Sequence, residues 1–170
     1  MVDCRQAHGT LQAARVRKVI SPLTVIRRFD CVLADTKEKV LRANEYCKFD
    51  FLRDAELKKA SDYAVYNISP FTFEKLLDDP DNVADNLCAY LQSFSENVRN
   101  IIDKFNFDEQ IARLDEKKIL FIVLQEFTGD NADFHPDKID NREMGYVFEE
   151  IICRFSESYG EDAGQHYTPR

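Results

Sequence analysis

Apolar residues recur every three or four positions along most of the chain, which is the spacing of one face of an α-helix. This pattern predicts helices over residues 11–34, 35–48, 54–60, 72–77, 82–105, 119–124 and 140–158, and one more that begins at residue 108. No Gly occurs between residues 10 and 128, which favours helices over a β fold with many turns. The chain is therefore predicted to be all-α, a compact multi-helix domain.

Three segments are open to more than one interpretation. Pro22 interrupts the first helix, so either Ser21 caps a helix with Pro22 at its first position, or one helix continues through a kink. Residues 119–124 are all apolar and would fit a buried strand. We interpret them as a helix packed on several sides, because no second strand candidate is strong. Residues 61–70 are predicted to be extended or irregular.

Polar residues at the helix starts predict the caps. The candidates are two capping boxes, Asp35 with Glu38 and Asp140 with Glu143, and two single caps, Asn82 and Asp108. Asn82 would begin the strongest helix, whose apolar stripe continues to residue 105. Residues 128–140 are predicted to be a loop. The aromatic side chains of the stripes are interpreted as core, with a cofactor pocket as the competing interpretation.

The net charge of −8 is unevenly distributed. Residues 1–28 carry six Lys or Arg against one acid, and the other 142 residues carry 17 bases against 30 acids. An acidic surface repels phosphate, so a nonspecific nucleic-acid binder is disfavoured. The basic stretch is either a solvated helix face or a contact to DNA or an acidic partner. The candidates for such a contact are Arg15, Arg17, Lys18, Arg27 and Arg28.

The sequence contains no complete catalytic motif. Phosphate-binding glycine loops, the HExxH zinc motif and the GxSxG nucleophile motif are absent, so neither a catalytic residue nor a metal ligand is predicted. The five cysteines are widely spaced, which favours reduced, mostly buried thiols. His135, before Pro136, is expected to be solvated or to bond within a turn. No apolar run could span a membrane and no secretion signal is present, so the cytoplasm is expected.

Several stretches of the chain resemble one family, namely residues 16–41, 70–77, 93–115 and 134–170. Their most specific parts are NREMGYVFEEIICRFSE and GQHYTPR, in that order and spacing. With these motifs the chain resembles the N-terminal part of the modification (M) subunit of type I restriction–modification systems. The resemblance implies an atypical tail at 1–14, a helical domain at 15–158, and a linker at 159–170 into a missing methyltransferase domain.

This resemblance implies a chemistry for the parent enzyme. The family's M subunits are adenine-specific DNA methyltransferases that use S-adenosylmethionine in a Rossmann-like domain, and only the start of that domain would lie in this chain. They work with a specificity subunit, which reads the DNA, and with a restriction subunit. The family's counterpart of the last six residues walls the cofactor pocket, which implies cofactor contacts for Gln165, His166, Tyr167, Thr168, Pro169 and Arg170.

The family's glycine-rich turn and its Asn-Pro-Pro-Phe loop are missing, so the chain itself is expected to be inactive and to hold no bound cofactor. Our leading hypothesis is a helical N-terminal domain that packs on the methyltransferase domain, helps to close around DNA and contacts partner subunits. A second hypothesis is a stand-alone helical interaction module from a truncated gene. A third, a sequence-specific DNA-binding protein, is disfavoured by the net charge of −8.

Overall fold

The structure is a computed structural model that describes residues 4–47, 49–104, 106–128, 132–147 and 149, with side chains from residue 19 onward. The helices are, in chain order, α1 Cys4–Leu33, α2 Lys37–Tyr46, α3 Asp50–Ser61, α4 Phe73–Leu76, α5 Val83–Gln92, α6 Glu96–Asp103, α7 Phe107–Glu116 and α8 Leu120–Glu126. Residues 141–147 are also helical and are called α9. Among these described residues there is no β-strand, so the all-α prediction is confirmed. The predicted start of a Rossmann-like domain lies outside them.

α1 continues through Pro22 as one helix, so Ser21 does not cap a new helix there. Proline lacks the N–H that an interior helical position donates, so a helix that contains one needs support from its packing. That support comes from the side chains around Pro22, since Val19, Leu23 and Ile26 are almost completely buried. Tertiary packing therefore outweighs the local preference of proline.

A single apolar core joins α1 to helices α4 to α8. Tyr90 of α5 lies within it, with its ring centroid 6.0 Å from that of Phe73 and 5.2 Å from that of Phe94, both edge-on. Edge-to-face aromatic pairs of this kind are favourable beyond the area that they bury. The other buried members are Val19, Leu23, Ile26, Leu33, Leu76, Val83, Leu87, Leu91, Val98, Ile102, Phe107, Ile111, Leu114, Leu120 and Leu124. The interpretation of the aromatic stripes as core is confirmed for these residues.

The prediction of one helix over 82–105 is wrong, because the chain breaks between α5 and α6. At the break the Ser93 carbonyl accepts from the Ile68 N–H at 2.9 Å, and the Ser95 N–H donates to the Tyr66 carbonyl at 3.0 Å. The irregular segment 61–70, which was predicted correctly, thus forms hydrogen bonds with backbone groups that a continuous helix would have paired internally. Periodicity along one segment cannot reveal such a partner.

Only one of the predicted caps forms. Asp140 Oδ1 accepts from the backbone N–H of Glu143 at 2.8 Å, and Glu143 Oε2 accepts from that of Asp140 at 3.0 Å, which is a complete capping box. The box predicted at Asp35 does not form, because α2 follows a 3-10 turn over Ala34–Thr36 and has no side-chain cap. Two single caps are also wrong: Asn82 makes no cap hydrogen bond, and Asp108 lies inside the first turn of α7.

The apolar run at 119–124 is helical, as predicted, and forms most of α8. Leu120 and Leu124 are buried, but Ile122 is 56% exposed. Ile119, Phe121 and Val123 are partly buried against the core, so the helix is packed on several sides, as expected, and only the side of Ile122 is open.

The cysteines within the described side chains are free thiols, and of these Cys31 is buried while Cys47 and Cys88 are partly buried. This confirms the prediction of reduced thiols for these three positions and shows that only one of them is buried. Cys4 and Cys153 lie outside the described side chains.

The end of α2, the connection to α3 and the first turn of α3 expose several large apolar side chains. Phe51 is 80% exposed and Tyr46 is 75% exposed, and Phe49 and Leu52 are also largely exposed. The rings of Phe49 and Phe51 lie 5.7 Å apart, so they form one patch. We call Tyr46, Phe49, Phe51 and Leu52 the aromatic tip. Clustered apolar exposure of this kind marks interaction surfaces more often than isolated exposed residues do.

Candidate functional site

Asp30 of α1 carries a carboxylate that is buried beside the apolar core. Asp30 is 8% exposed. Its Oδ1 accepts from the Tyr90 hydroxyl at 2.9 Å, and its Oδ2 accepts from the Phe73 backbone N–H at 3.3 Å. Burial raises the pKa of Asp30 above its ordinary value, although both hydrogen bonds oppose the rise. Asp30 therefore joins α1 to α4 and α5 through polar contacts inside the core.

Arg27, one turn earlier on α1, is buried beside this carboxylate. Its Nη1 lies 3.0 Å from Asp30 Oδ2 and 2.8 Å from Glu74 Oε1. Its Nε donates to the Ala132 carbonyl at 3.2 Å, and its guanidinium carbon lies 5.5 Å from the Phe73 ring centroid. Two carboxylates balance its charge, so the burial of this cation is compensated. The contact with Ala132 ties α1 to the loop 132–140, which we call the anchored loop.

Arg28 holds the same loop from the outer side of α1. Its Nη1 donates to the carbonyls of Phe134 and Ile139, the latter at 2.9 Å. Its Nη2 donates to Asn141 Oδ1 at 3.0 Å. These acceptors lie near both ends of the anchored loop and at the start of α9. Arg28 therefore fixes the position from which α9 begins.

The anchored loop also bonds within itself. The His135 backbone N–H donates to Asp133 Oδ1 at 3.1 Å, and His135 Nδ1 accepts from the Asp137 N–H at 3.3 Å. Lys138 donates to the Asp133 carboxylate, and that hydrogen bond holds the pKa of Asp133 below its ordinary value. The prediction that His135 bonds within a turn is confirmed. The loop is thus shaped locally and attached to α1 by arginines.

A cavity of about 240 Å³ lies between α1, the start of α2, the start of α4 and the anchored loop. Its lining includes Asp30, Lys37, Thr72, Tyr90 and His135. Lys37 Nζ donates to the Phe71 carbonyl at 2.9 Å and lies 5.4 Å from the Tyr90 ring centroid. Burial lowers the pKa of Lys37 from 10.5 to about 8, with Asp30 opposing the shift and Lys75 adding to it. The cavity therefore holds an amine that is partly neutral near physiological pH.

The structure brings only some of the predicted site residues together. Arg27 and Arg28 contact the anchored loop from α1, so for Arg27 the interpretation as a solvated helix face is wrong. The backbone of Arg15, Arg17 and Lys18 belongs to α1, but their side chains lie outside the described residues. The predicted cofactor contacts, Gln165, His166, Tyr167, Thr168, Pro169 and Arg170, also lie outside them. Contacts of all these residues to DNA, partners or cofactor stay predictions.

Sequence reasoning missed Asp30, Lys37 and Tyr90 as members of a polar site. One signal was present for Asp30, because it is a single acid between apolar positions, three residues after Arg27. Tyr90 was assigned to the core, and its ring is there. Its hydroxyl partner is sixty positions away in sequence, and no local pattern indicates that pair.

Neither a metal cluster nor a membrane span is found in the part of the chain that the structure describes. No group of three or more His, Cys, Asp or Glu side chains there is arranged to hold a metal ion. No helix within that part is long and apolar enough to cross a membrane.

A family model described as the HsdM N-terminal domain matches residues 4–127, well over half of the chain. The chain belongs to this family. HsdM is the modification subunit of type I restriction–modification systems, so the resemblance stated from the sequence motifs is confirmed. The matched residues include helices α1 to α8 and end before the anchored loop. Neither a curated protein nor a solved structure matched the chain.

Proposed function

We propose that the chain is the helical N-terminal domain of a type I DNA methyltransferase subunit, whose parent enzyme methylates adenine in DNA with S-adenosylmethionine. The observation that supports this proposal is the family match over residues 4–127. In such a reaction the adenine must leave the base stack before its amino group can be reached. A helical domain beside the methyltransferase domain would help to close around DNA in that state.

The role of this chain within the parent enzyme is that of a scaffold without its own catalytic residues. Arg27 and Arg28 attach the anchored loop to α1, and the capping box at Asp140 begins α9 there. α9 therefore starts from a fixed position on the helical body. By family resemblance, residues 159–170 lead into the methyltransferase domain, and the segment from Gln165 to Arg170 lies against S-adenosylmethionine.

The partners under this proposal are the specificity subunit, the restriction subunit and DNA. The contacts of Arg15, Arg17 and Lys18 in the first helix to DNA or a partner subunit, predicted from the sequence, are part of this proposal. Arg27 and Arg28 would act indirectly, since their guanidinium groups bond within the chain. Because the net charge is −8, contacts to DNA phosphates would be confined to the basic stretch of the chain, and the affinity for DNA should fall as the salt concentration rises.

A second candidate function is a stand-alone helical interaction module that binds a specificity subunit without an enzyme role. The aromatic tip favours a protein partner, because Tyr46 and Phe51 place large apolar surfaces in water. Under the first proposal, the same surface would contact another subunit of the enzyme. The reading frame after codon 170 separates the two: a frame that continues into a glycine-rich turn and an Asn-Pro-Pro-Phe loop supports the methyltransferase parent.

The first proposal is tested by methyl transfer from labelled S-adenosylmethionine to duplex DNA. We expect the 170-residue chain alone to transfer no label. The protein expressed from the continuing reading frame, together with its specificity subunit, should label adenine. Turnover by the chain alone would contradict the scaffold role, and a complete complex that labels another base would contradict the adenine assignment.

A further inference from the structure

The cavity beside Lys37 is open to solvent and large enough for a small organic molecule. Two of its lining residues, Ala34 and Glu74, are exposed, so the cavity reaches the surface on their side. Its volume of about 240 Å³ corresponds to roughly eight water molecules at about 30 Å³ each. A molecule of up to about ten heavy atoms would fit into such a space.

Lys37 lines this cavity, and the contacts of its amine are few. Of its three possible donor bonds, one goes to the Phe71 carbonyl. Among the side chains that the structure describes, no carboxylate forms an ion pair with Lys37. The charged groups that act on it are Asp30, which favours its cation, and Lys75, which disfavours it. The Tyr90 ring face lies on another side.

A lysine amine is a nucleophile only when it is neutral, and burial is a common way to reach that state. With the pKa of Lys37 at about 8, roughly one amine in ten is neutral at pH 7. A lysine at the ordinary value of 10.5 would be neutral in fewer than about one molecule in a thousand. The reactive form is therefore about 300-fold more abundant at Lys37.

We propose that Lys37 is an acylation site, at which a small acyl phosphate enters the cavity and transfers its acyl group to Nζ. The nitrogen lone pair attacks the carbonyl carbon, and an N–C bond forms. The C–O bond to phosphate breaks, phosphate leaves with that electron pair, and the proton from nitrogen goes to water. The product is a neutral amide, so the cation beside the Tyr90 ring is lost.

The phosphate end of an acyl phosphate would meet one positive charge near this cavity. Lys75 is exposed and lies close enough to lower the pKa of Lys37, so it places a positive charge near the cavity. Such a charge attracts the phosphate end of the donor. The carboxylates of the lining are already engaged, Asp30 and Glu74 with Arg27, and Asp133 with Lys138.

The expected rate follows from two opposing effects. The abundance of neutral amine favours Lys37 by about 300-fold at pH 7. Its lower basicity reduces its intrinsic reactivity by about 20-fold, if the Brønsted slope of about 0.5 known for thiolates is applied to amines. Lys37 should then react on the order of ten times faster than Lys39, which is exposed on the same helix.

The test uses the full chain and deuterated acetyl phosphate over a pH series. Digestion after acidic residues and mass spectrometry would give the acetylation rates of Lys37 and Lys39 from the same sample. We expect Lys37 to react about tenfold faster at pH 7, with a rate that levels off above about pH 8. In urea, where the cavity is lost, the two rates should become equal.

The variant Lys75→Gln tests the surroundings of the amine without changing the reacting residue. It removes the nearby cation at an exposed position, so the pKa of Lys37 should rise and its acetylation at pH 7 should slow. The proposal is overturned if Lys37 reacts no faster than Lys39 in the folded chain. It is also overturned if its advantage persists in urea, or if Lys75→Gln leaves its rate unchanged.

Discussion

Replacing Asp30 by Asn should destabilise the protein strongly, although the side chain keeps its shape. Asn offers one acceptor in place of two, and that oxygen can serve the Tyr90 hydroxyl. Its amide NH₂ then faces the Arg27 guanidinium and the Phe73 N–H, which are themselves donors. The buried network therefore loses two hydrogen bonds at Oδ2 and gains a clash between donors.

The magnitude follows from the contacts that are lost. A hydrogen bond to a charged group contributes about 1.5–3 kcal/mol, and a buried donor left without an acceptor costs about 1–3 kcal/mol. Arg27 keeps Glu74 as a counter-ion at 2.8 Å, so its charge is still balanced. Relief of the desolvation that raises the pKa of Asp30 offsets part of the loss. We expect a decrease of about 2–4 kcal/mol in the free energy of unfolding.

The assay is urea unfolding followed by circular dichroism, with Asp78→Asn as the control. Asp78 is exposed after α4, so its substitution should change the free energy of unfolding by less than about 0.5 kcal/mol. If Asp30→Asn unfolds at the same urea concentration as the control, with an equal slope, the buried network does not hold α1, α4 and α5 together.

Further substitutions test the remaining contacts. The pKa of Lys37 is about 8 in the folded chain and 10.5 as its ordinary value, so between these pH values the unfolded chain binds more protons than the folded one. The free energy of unfolding of the wild type, relative to that of Lys37→Met, should therefore rise by about 1–3 kcal/mol from pH 8 to 10.5. A stability difference between the wild type and Lys37→Met that does not change with pH would refute the shift. Tyr90→Phe should cost about 1.5–3 kcal/mol in urea unfolding, because it removes the hydroxyl donor of a buried carboxylate; a cost below about 0.5 kcal/mol would show that this bond contributes little. Arg28→Met should speed amide hydrogen exchange in the anchored loop about tenfold, because it removes the contacts that hold the loop to α1. Arg42→Met, at an exposed position, should leave that exchange unchanged. Equal exchange in both variants would show that Arg28 does not hold the loop.

Sequence patterns predicted most of the helices, since each depends on local periodicity. The capping box at Asp140 and Glu143 formed because both partners lie within one turn. The box at Asp35 failed because a 3-10 turn shifts the start of α2 past it. The break between α5 and α6 was missed because its backbone partners, Tyr66 and Ile68, are far away in sequence.

The candidate site was less predictable than the fold. Arg27 and Arg28 were selected for their charge, but their contacts depend on a loop more than a hundred residues later. The pair of Asp30 and Tyr90 spans sixty positions. Polar contacts of such separation leave no periodic trace, whereas apolar burial does. The family motifs indicated the parent enzyme without indicating this network.

Sedimentation of the purified chain with a type I specificity subunit from the same genome would show whether the chain is a scaffold that binds that subunit. We expect one co-sedimenting complex, and we expect this complex to transfer no methyl group from labelled S-adenosylmethionine to DNA. A chain that sediments apart from the specificity subunit, or a complex that labels DNA without any further polypeptide, would contradict a subunit-binding scaffold.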